Sequence, residues 1–400
     1  MEDQRCNAML IPKICLEQTH VFNVFIDFML KNQPFRTCSH ATSQWKSRKY
    51  WVKQVNGKSV INTEFLVEHY GQMEVPVRKE MPHCSAKCEK IKLKDYIQKL
   101  RKNNGSDDAG YVKDWHFQQD SGTSCEMYGL PSVFRFDWIN NEIWSNDERS
   151  QLGDYRFVYF GVENTWTPFH ADVMSSFSWS ANICGRKLWY FVTPGKEEYF
   201  RLDRHSFLKD IRTARDKWSE ADVLSFVQEE GEIFFVPSNW YHQVHNLEDT
   251  ISINHNFINA SNVGLVVELI TERLKDVDRE LTDCKDYFSS IEYNRYCEQI
   301  LSADIRVNLA TLSSLLHLIS NDRKNDVDEC WTCPKHRSFL DCKTDNDCLE
   351  SMRQSSRNIC TCTLANNEIC FECSNFMKKI EISVAAQCLT QIRGIIESRG

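Results

Sequence analysis

The chain has 400 residues, of which 42% are hydrophobic and 12% aromatic, and its formal net charge is −8. A chain of this length and composition can bury a substantial core, so we expect a globular protein. Its lysines and arginines are scattered and form no basic stripe of the kind that a phosphate backbone requires. We therefore expect no direct nucleic-acid partner.

The first thirty residues contain no predicted export signal or membrane span. Residues 1–20 mix both charges with short apolar patches and lack the basic, apolar and small-residue order of a secretory signal. The apolar stretch that follows is too short and too polar to span a bilayer, and its periodicity predicts a packed amphipathic helix. We expect a cytoplasmic protein without membrane contact, whose 18 cysteines are mostly reduced thiols.

Residues 1–109 are predicted to form an α+β region that supports the rest of the fold. Asn62 and Thr63 begin a helix, and Gly71 ends it. Residues 74–77 read as a short strand, and the helical spacing around residues 93–100 predicts a second helix.

Residues 110–260 contain short apolar and aromatic runs separated by turn residues. The runs cover residues 111–117, 157–161, 188–192, 233–237 and 250–253. Such a pattern predicts a mainly β core, an antiparallel barrel or jelly roll. We expect a helical insertion at residues 210–227 to interrupt it.

Residues 261–400 are predicted to form a C-terminal helical region with a cysteine-rich segment. Apolar residues recur at helical spacing after residue 262, again over residues 309–319, and in a final helix over residues 380–396. Between the last two helices, Cys330 and Cys333 form one C-x2-C pair, and Cys370 and Cys373 form another. Four thiolates can close a structural zinc site. Because the pairs are widely separated and other cysteines lie between them, reduced structural cysteines are the preferred interpretation and zinc the alternative.

Two segments of the β core carry candidate metal ligands. In an extended segment, His170 and Asp172 project from one face. Taken alone, this triplet most often means a surface histidine near a surface aspartate. About seventy residues later, His242 follows a buried strand and two aromatic residues. Two histidines and one carboxylate form the facial triad that leaves three adjacent positions of Fe(II) open.

Two further histidines are interpreted as packing residues, with a supporting position behind the candidate metal ligands as the alternative for His245. His245 lies at an odd offset from His242, so it faces the opposite side of the same strand. His255 shares its parity with apolar neighbours, whereas Ser252, Asn254 and Asn256 form the polar face of that strand.

The order of these motifs resembles the JmjC oxygenases. The matching segments are T-P-F-H-A-D at 167–172, G-R-K-L-W-Y-F at 185–191, F-V-P-S-N-W-Y-H-Q-V-H-N at 235–246 and I-S-I-N-H-N-F at 251–257. The resemblance implies a double-stranded β-helix, a cupin-like jelly roll, that uses Fe(II) with 2-oxoglutarate and O2 as co-substrates. It implies the metal ligands, which are also the catalytic residues: His170, Asp172 and His242.

The resemblance also implies residues that bind 2-oxoglutarate. A buried dicarboxylate needs a cation at its far end, because an unpaired buried carboxylate is costly. Lys187 lies where the family has its lysine anchor, and Tyr111, Thr167 and Asn256 match further positions that contact the co-substrate.

The segments that flank the motifs most resemble a lysyl hydroxylase of this family that acts on the eukaryotic translation termination factor. This implies a 2-oxoglutarate-dependent dioxygenase that hydroxylates a lysine carbon, with the termination factor as protein partner. The alternatives are a JmjC lysine demethylase, which attacks an N-methyl C–H bond, and a catalytically inactive JmjC binding scaffold. Retention of all three ligands and Lys187 argues against the scaffold.

Overall fold

The computed structural model describes residues 11–80, 86–102, 110–122, 126–141, 152–204, 206–326 and 371–399. The cysteine-rich segment, with its two C-x2-C pairs, lies outside the described side chains, so the zinc alternative stays a prediction. The described strands are β1 (Lys13–Ile14), β2 (Phe35–Thr37), β3 (Val52–Val55), β4 (Lys58–Ile61), β5 (Glu74–Lys79), β6 (Lys87–Lys92), β7 (Tyr111–Trp115), β8 (Arg156–Gly161), β9 (Trp166–His170), β10 (Phe177–Cys184), β11 (Lys187–Val192), β12 (Leu224–Gln228), β13 (Ile233–Val236), β14 (Tyr241–Asn246) and β15 (Thr250–Phe257).

The first five described α-helices lie between strands β1 and β8, and the other four follow β15. The α-helices are α1 (Val21–Val24), α2 (Lys46–Tyr50), α3 (Thr63–Tyr70), α4 (Leu93–Lys102), α5 (Phe117–Ser121), α6 (Val263–Glu280), α7 (Ser290–Ile305), α8 (Leu309–Asp326) and α9 (Phe371–Glu397). A π-helical turn, Phe25–Met29, continues α1, and 3-10 turns occur at Ser39–Thr42, Ser132–Phe134, Val173–Ser175, Glu197–Phe200, Ile211–Lys217 and Thr282–Tyr287. None of the described helices has the length and apolar character needed to cross a membrane.

Two sheets form the β core. One has nine strands in the order β1-β2-β13-β10-β15-β8-β7-β5-β6, and the other has four in the order β12-β11-β14-β9. Their apolar side chains meet: the Trp189 ring of β11 lies 5.0 Å from the Phe234 ring of β13, between ring centroids. The predicted mainly β, jelly-roll fold with flanking helices is therefore confirmed.

Strands from the N-terminal region extend the larger sheet at both ends. On one side β2 pairs with β13, where Phe35 lies opposite Phe235. On the other side β5 pairs with β7, where Val77 lies opposite Val112. The N-terminal region thus shares hydrogen bonds with the β core, and the division of the chain at residues 109 and 260 stays a prediction.

The helices at 62–70 and after residue 262 form as the sequence predicts, whereas the insertion differs. The Asn62 side chain accepts a hydrogen bond from the Phe65 amide and caps α3. The predicted helical insertion at 210–227 is wrong in its second half, because Leu224–Gln228 forms β12 and pairs with β11. Pairing with a neighbouring strand supplies the backbone hydrogen bonds that this segment needs.

The C-terminal helices pack on the β core and on each other. The apolar face predicted for α6 is buried and includes Val266 and Ile270. In α9 the buried Glu381 carboxylate accepts hydrogen bonds from Trp138 Nε1 at 2.7 Å and from Arg323 Nε at 2.8 Å. The ion pair with Arg323 connects α9 to α8, and the hydrogen bond from Trp138 connects α9 to the segment that precedes β8.

Candidate active site

The predicted ligand set comes together at one end of the four-stranded sheet. His170 is the last residue of β9, Asp172 follows it, and His242 is the second residue of β14. Antiparallel pairing of the two strands sets His242 directly opposite His170. One side-chain ligand atom from each of the three residues lies within 4.8 Å of the other two, so the set could hold one metal ion.

Backbone carbonyls orient both imidazoles. The Nδ1 atom of His170 lies 2.7 Å from the Pro168 carbonyl oxygen, and that of His242 lies 2.9 Å from the Trp240 carbonyl oxygen. Donation from each Nδ1–H leaves Nε2 as the unprotonated atom that can bind a metal. Burial, and secondly the neighbouring His242, lower the pKa of His170 to about 3, so its ring is neutral at physiological pH.

The aspartate is held by a serine and by a strained turn. Ser178 Oγ donates a hydrogen bond to Asp172 Oδ2 at 2.6 Å. Met174 and Ser175, just after the aspartate, have φ of 57° and 50°, a left-handed conformation that is costly for non-glycine residues. The Ser175 carbonyl accepts a hydrogen bond from Ser238 Oγ at 2.6 Å, which holds this turn against the segment before β14.

Lys187 extends from β11 across the interior to the larger sheet. Its Nζ donates to Ser252 Oγ at 2.8 Å and lies 3.5 Å from the Tyr111 hydroxyl oxygen. Burial, and secondly the nearby Lys113, lower the pKa of this amine to about 7. In the part of the chain that the structure describes, no carboxylate forms an ion pair with Lys187. A buried amine without an anionic partner favours binding of a carboxylate from outside the chain.

A cavity of about 800 Å³ opens beside the triad. Thr167 and Asn256 line it together with His170 and Asp172. The Asn256 side chain donates to Ser176 Oγ at 3.1 Å, so its position is fixed next to the turn that carries the aspartate. The structure thus places Thr167 and Asn256 at the cavity beside the triad, whereas Tyr111 and Lys187 are buried and lie against each other outside its lining.

The two other histidines lie on the opposite faces of their strands. The His245 ring stacks on Trp166, with the ring centroids 5.6 Å apart, and its Nε2 accepts a hydrogen bond from Gln243 at 2.7 Å. The His255 ring packs on Trp179 at 4.1 Å, and its Nε2 lies 2.7 Å from the Tyr128 hydroxyl. Both are packing residues, as strand parity predicts.

Sequence reasoning did not single out Lys113, which lines the same cavity. Its side chain is 7% exposed, and its Nζ lies 5.5 Å from the centre of the Tyr111 ring. Burial lowers the pKa of this amine to about 8. The parity that Lys113 shares with Tyr111 was the available signal, because residues two apart on a strand share a face.

Comparison with known proteins adds a family to this geometry. Residues 157–257 match the family model described as JmjC domain, hydroxylase. The chain is 37% identical over 343 residues to the zebrafish (Danio rerio) 2-oxoglutarate and iron-dependent oxygenase JMJD4. The match covers 81% of this chain and 78% of the relative. The chain belongs to the JmjC family of 2-oxoglutarate- and iron-dependent oxygenases.

Other JmjC relatives are similar over most of their length. The human (Homo sapiens) oxygenase JMJD4 is 35% identical over 312 residues, which are 74% of this chain and 72% of the relative. An Arabidopsis thaliana protein named arginine-specific demethylase JMJ20 is 32% identical over 302 residues, 70% of this chain and 64% of the relative. The predicted family and enzyme class are confirmed, and Fe(II) and 2-oxoglutarate are the cofactor and co-substrate of JmjC oxygenases. Two imidazoles and one carboxylate are a donor set that suits Fe(II).

Proposed function

We propose that this protein is a cytoplasmic Fe(II)- and 2-oxoglutarate-dependent hydroxylase of a lysine in the eukaryotic translation termination factor. The observation that carries the reaction class is a His-Asp-His set together with a buried lysine, Lys187, that has no carboxylate partner among the described residues. Lys113, whose charge acts on Lys187, lines the cavity beside His170 and Asp172. The substrate rests on resemblance to the JMJD4 oxygenases, which extends over about four fifths of this chain in the zebrafish relative.

Each predicted site residue has a role in this proposal. His170, Asp172 and His242 hold Fe(II), through the imidazole Nε2 atoms and the aspartate carboxylate. Lys187 binds the distal carboxylate of 2-oxoglutarate, with hydroxyl groups from Ser252 and Tyr111 beside it. Thr167 and Asn256 contact the end of the co-substrate nearer the metal.

The chain contributes placement and exclusion of water, whereas bound Fe(II), with O2 as the oxidant and 2-oxoglutarate as co-substrate, would supply the chemistry that inserts oxygen into an unactivated C–H bond. The His242 ring lies between 5.6 and 5.7 Å from the rings of Trp189 and Phe191, which are buried. These aromatic side chains would keep solvent away from bound iron on the His242 side, and the cavity that His170 and Asp172 line would admit the substrate.

Demethylation is the second candidate function, because one relative is named an arginine-specific demethylase. A demethylase uses the same metal and co-substrate but attacks an N-methyl C–H bond, so the arrangement of iron ligands does not separate the two reactions. The mass of the product does: hydroxylation adds about 16 Da, whereas loss of one methyl group removes about 14 Da.

Mass spectrometry of the termination factor from cells with and without this protein tests the substrate. We expect a lysine that is heavier by about 16 Da only in cells that contain the protein. An unmodified factor in both cell lines, together with robust hydroxylation or demethylation of another protein, would overturn the substrate and leave the oxygenase chemistry intact.

A further inference from the structure

Three described carboxylates line the active-site cavity, and they differ in what they contact. Asp172 belongs to the His-Asp-His set. Asp154 accepts a hydrogen bond from Arg156 Nε at 2.7 Å and lies 3.8 Å from His116 Nδ1. Within the described residues, Asp114 forms no ion pair with a lysine, arginine or histidine. Asp114 is therefore the cavity carboxylate that is available to a cation from outside the chain.

A break in strand β7 turns Asp114 toward the cavity. In a regular strand Lys113 and Asp114 would face opposite sides, yet both line the cavity. The register of β7 against β8 shifts between Val112 and Trp115, and Asp114 has φ of 57° in the left-handed region. A β-bulge of this kind re-aims a side chain, and here it gives the exposed carboxylate access to the cavity.

A tyrosine fixes one oxygen of this carboxylate. The Tyr159 hydroxyl donates a hydrogen bond to Asp114 Oδ1 at 2.8 Å. Burial, and secondly the Asp114 carboxylate, raise the pKa of Tyr159 well above its usual value, so the hydroxyl stays a donor. Asp172 contributes to the same increase, which means that Tyr159 lies near both carboxylates. The second oxygen of Asp114 remains available for another donor.

We propose that Asp114 binds the side-chain ammonium group of the substrate lysine and thereby selects a cationic residue for hydroxylation. This inference rests on the proposed function, in which the modified residue is a lysine. An ammonium group and a carboxylate form a charge-assisted hydrogen bond, which is stronger than a neutral one. Because the lysine carbons lie within a few bonds of the ammonium, its anchoring point determines which carbon faces the triad.

The charges around the cavity favour this position for a cation. Lys113 lies beside Tyr111, near the buried end of the site, and repels an ammonium group from that side. Asp154 already has Arg156 and His116 as neighbours, so a second cation there gains less. Asp114 forms no ion pair among the described residues, its charge acts on the neighbouring Lys113 and His116 without a direct contact, and the Tyr159 hydroxyl holds it in place.

The test measures binding without turnover. The full-length protein is held without oxygen, with Fe(II) and 2-oxoglutarate, and titrated with a fluorescent peptide that contains the target lysine. A second peptide has norleucine, which lacks the ammonium group, in place of that lysine. We expect the wild-type protein to bind the lysine peptide at least about tenfold more tightly than the norleucine peptide, as a hydrogen bond between charged groups allows.

Two substitutions remove the carboxylate and suit the left-handed backbone at this position. Asparagine and glycine both tolerate positive φ, so Asp114→Asn and Asp114→Gly keep the bulge. In both variants we expect the lysine and norleucine peptides to bind within about twofold of each other. The matched control is Asp154→Asn, which removes a paired carboxylate from the same cavity and keeps the preference for lysine.

Two failures are distinguishable. If wild-type protein with oxygen hydroxylates lysine and the Asp114 variants keep the preference for the lysine peptide, the role of Asp114 is wrong and the proposed function stands. If the wild-type protein hydroxylates no lysine peptide, the proposed function fails and the role of Asp114 fails with it. Formation of the coloured Fe(II)–2-oxoglutarate chelate in each variant verifies that the site is intact.

Discussion

His242 and His245 lie three residues apart on β14, on opposite faces of the four-stranded sheet. Their exposed fractions are 4% and 6%, so burial does not distinguish them. Their neighbours do: the His242 ring centroid lies 4.3 Å from that of His170, whereas the His245 ring stacks on Trp166. The difference teaches that the function of a buried histidine follows from the face of the strand on which it lies.

The face of β14 that carries His245, here the outer face, and the face that carries His242, here the inner face, also differ in the hydrogen bonds of their polar groups. On the outer face, the Gln243 amide donates to His245 Nε2 and to Asp210 Oδ1, each at 2.7 Å, and its oxygen accepts from the Ile211 amide at 2.8 Å. On the inner face, ligand atoms of His170, Asp172 and His242 lie within 4.8 Å of one another, and the Lys187 ammonium donates to Ser252 without a carboxylate partner among the described residues. A closed hydrogen-bond network stabilises the fold, and an open one binds ligands.

The largest expected effect separates the two histidines. We expect His242→Ala to lose bound Fe(II) and all 2-oxoglutarate turnover, because it removes one of the three proposed metal ligands. His170→Ala and Asp172→Ala should abolish turnover in the same way. His245→Ala should keep stoichiometric iron, measured by metal analysis after desalting. Loss of iron from His245→Ala, with iron retained in His242→Ala, would mean that His245 and not His242 binds the metal.

The next effect concerns Lys187, the buried lysine of β11. Lys187→Ala removes the proposed charge partner of the distal carboxylate, so we expect KM for 2-oxoglutarate to rise about 100-fold while the thermal unfolding temperature changes little. Lys196→Ala, which alters a partly exposed surface lysine paired with Asp222, is the control. Unchanged 2-oxoglutarate dependence in Lys187→Ala would remove this lysine from the site.

A glycine tests how tightly the inner face is packed. A Cβ atom at Gly161 would lie 2.5 Å from Thr165 Oγ1 and 2.6 Å from Tyr111 Cδ2, so both side chains must shift. We expect Gly161→Ala to weaken 2-oxoglutarate binding about tenfold by displacing Tyr111. Gly264→Ala, where an added Cβ meets nothing within 4 Å, is the matched control. Equal 2-oxoglutarate affinity in both variants would show that Tyr111 does not position the co-substrate.

The smallest effect is a pH dependence of stability from the outer face. Burial, and secondly Arg212, lower the pKa of His245 to about 4, below its unfolded value of about 6.5. As the pH falls, the unfolded chain binds the proton first. The stabilising contribution is therefore complete above about pH 6.5 and is lost between about pH 6.5 and pH 4.

Unfolding in urea at several pH values measures this contribution. Between about pH 6.5 and pH 4, we expect the free energy of unfolding to fall by about 1 kcal/mol less in His245→Gln than in the wild-type protein. We expect His40→Gln, which alters an exposed histidine, to show the same decrease as the wild-type protein. An identical slope in the wild-type protein and His245→Gln would mean that His245 is not held neutral by its surroundings.

Local patterns were sufficient to predict much of this site. Strand parity placed His170 with Asp172 and assigned His242 and His245 to opposite faces, because side chains alternate along any regular strand. Parity fails where the strand is irregular. The bulge in β7 that turns Asp114 into the cavity depends on pairing with β8, and a single strand's sequence does not contain that information.

Other features depended on distant partners in the same way. The strand at Leu224–Gln228 forms because β11 accepts its hydrogen bonds, and the place of the N-terminal strands in the larger sheet depends on their pairing with β13 and β7. Ser252, which holds the Lys187 ammonium, lies 65 residues away along the chain. Such contacts follow from the topology of the barrel and cannot be read from the periodicity of a short segment.

The most direct test of lysine hydroxylation by this site compares the products of the wild-type protein, His242→Ala and His245→Ala. Purified wild-type protein, His242→Ala and His245→Ala are each incubated with Fe(II), 2-oxoglutarate and the stop-codon-decoding domain of the translation termination factor, and the peptides are analysed by mass spectrometry. We predict a lysine heavier by about 16 Da with the wild-type protein and His245→Ala, and none with His242→Ala. An unmodified lysine in all three reactions, or loss of about 14 Da from a methylated peptide, would contradict lysine hydroxylation by this site.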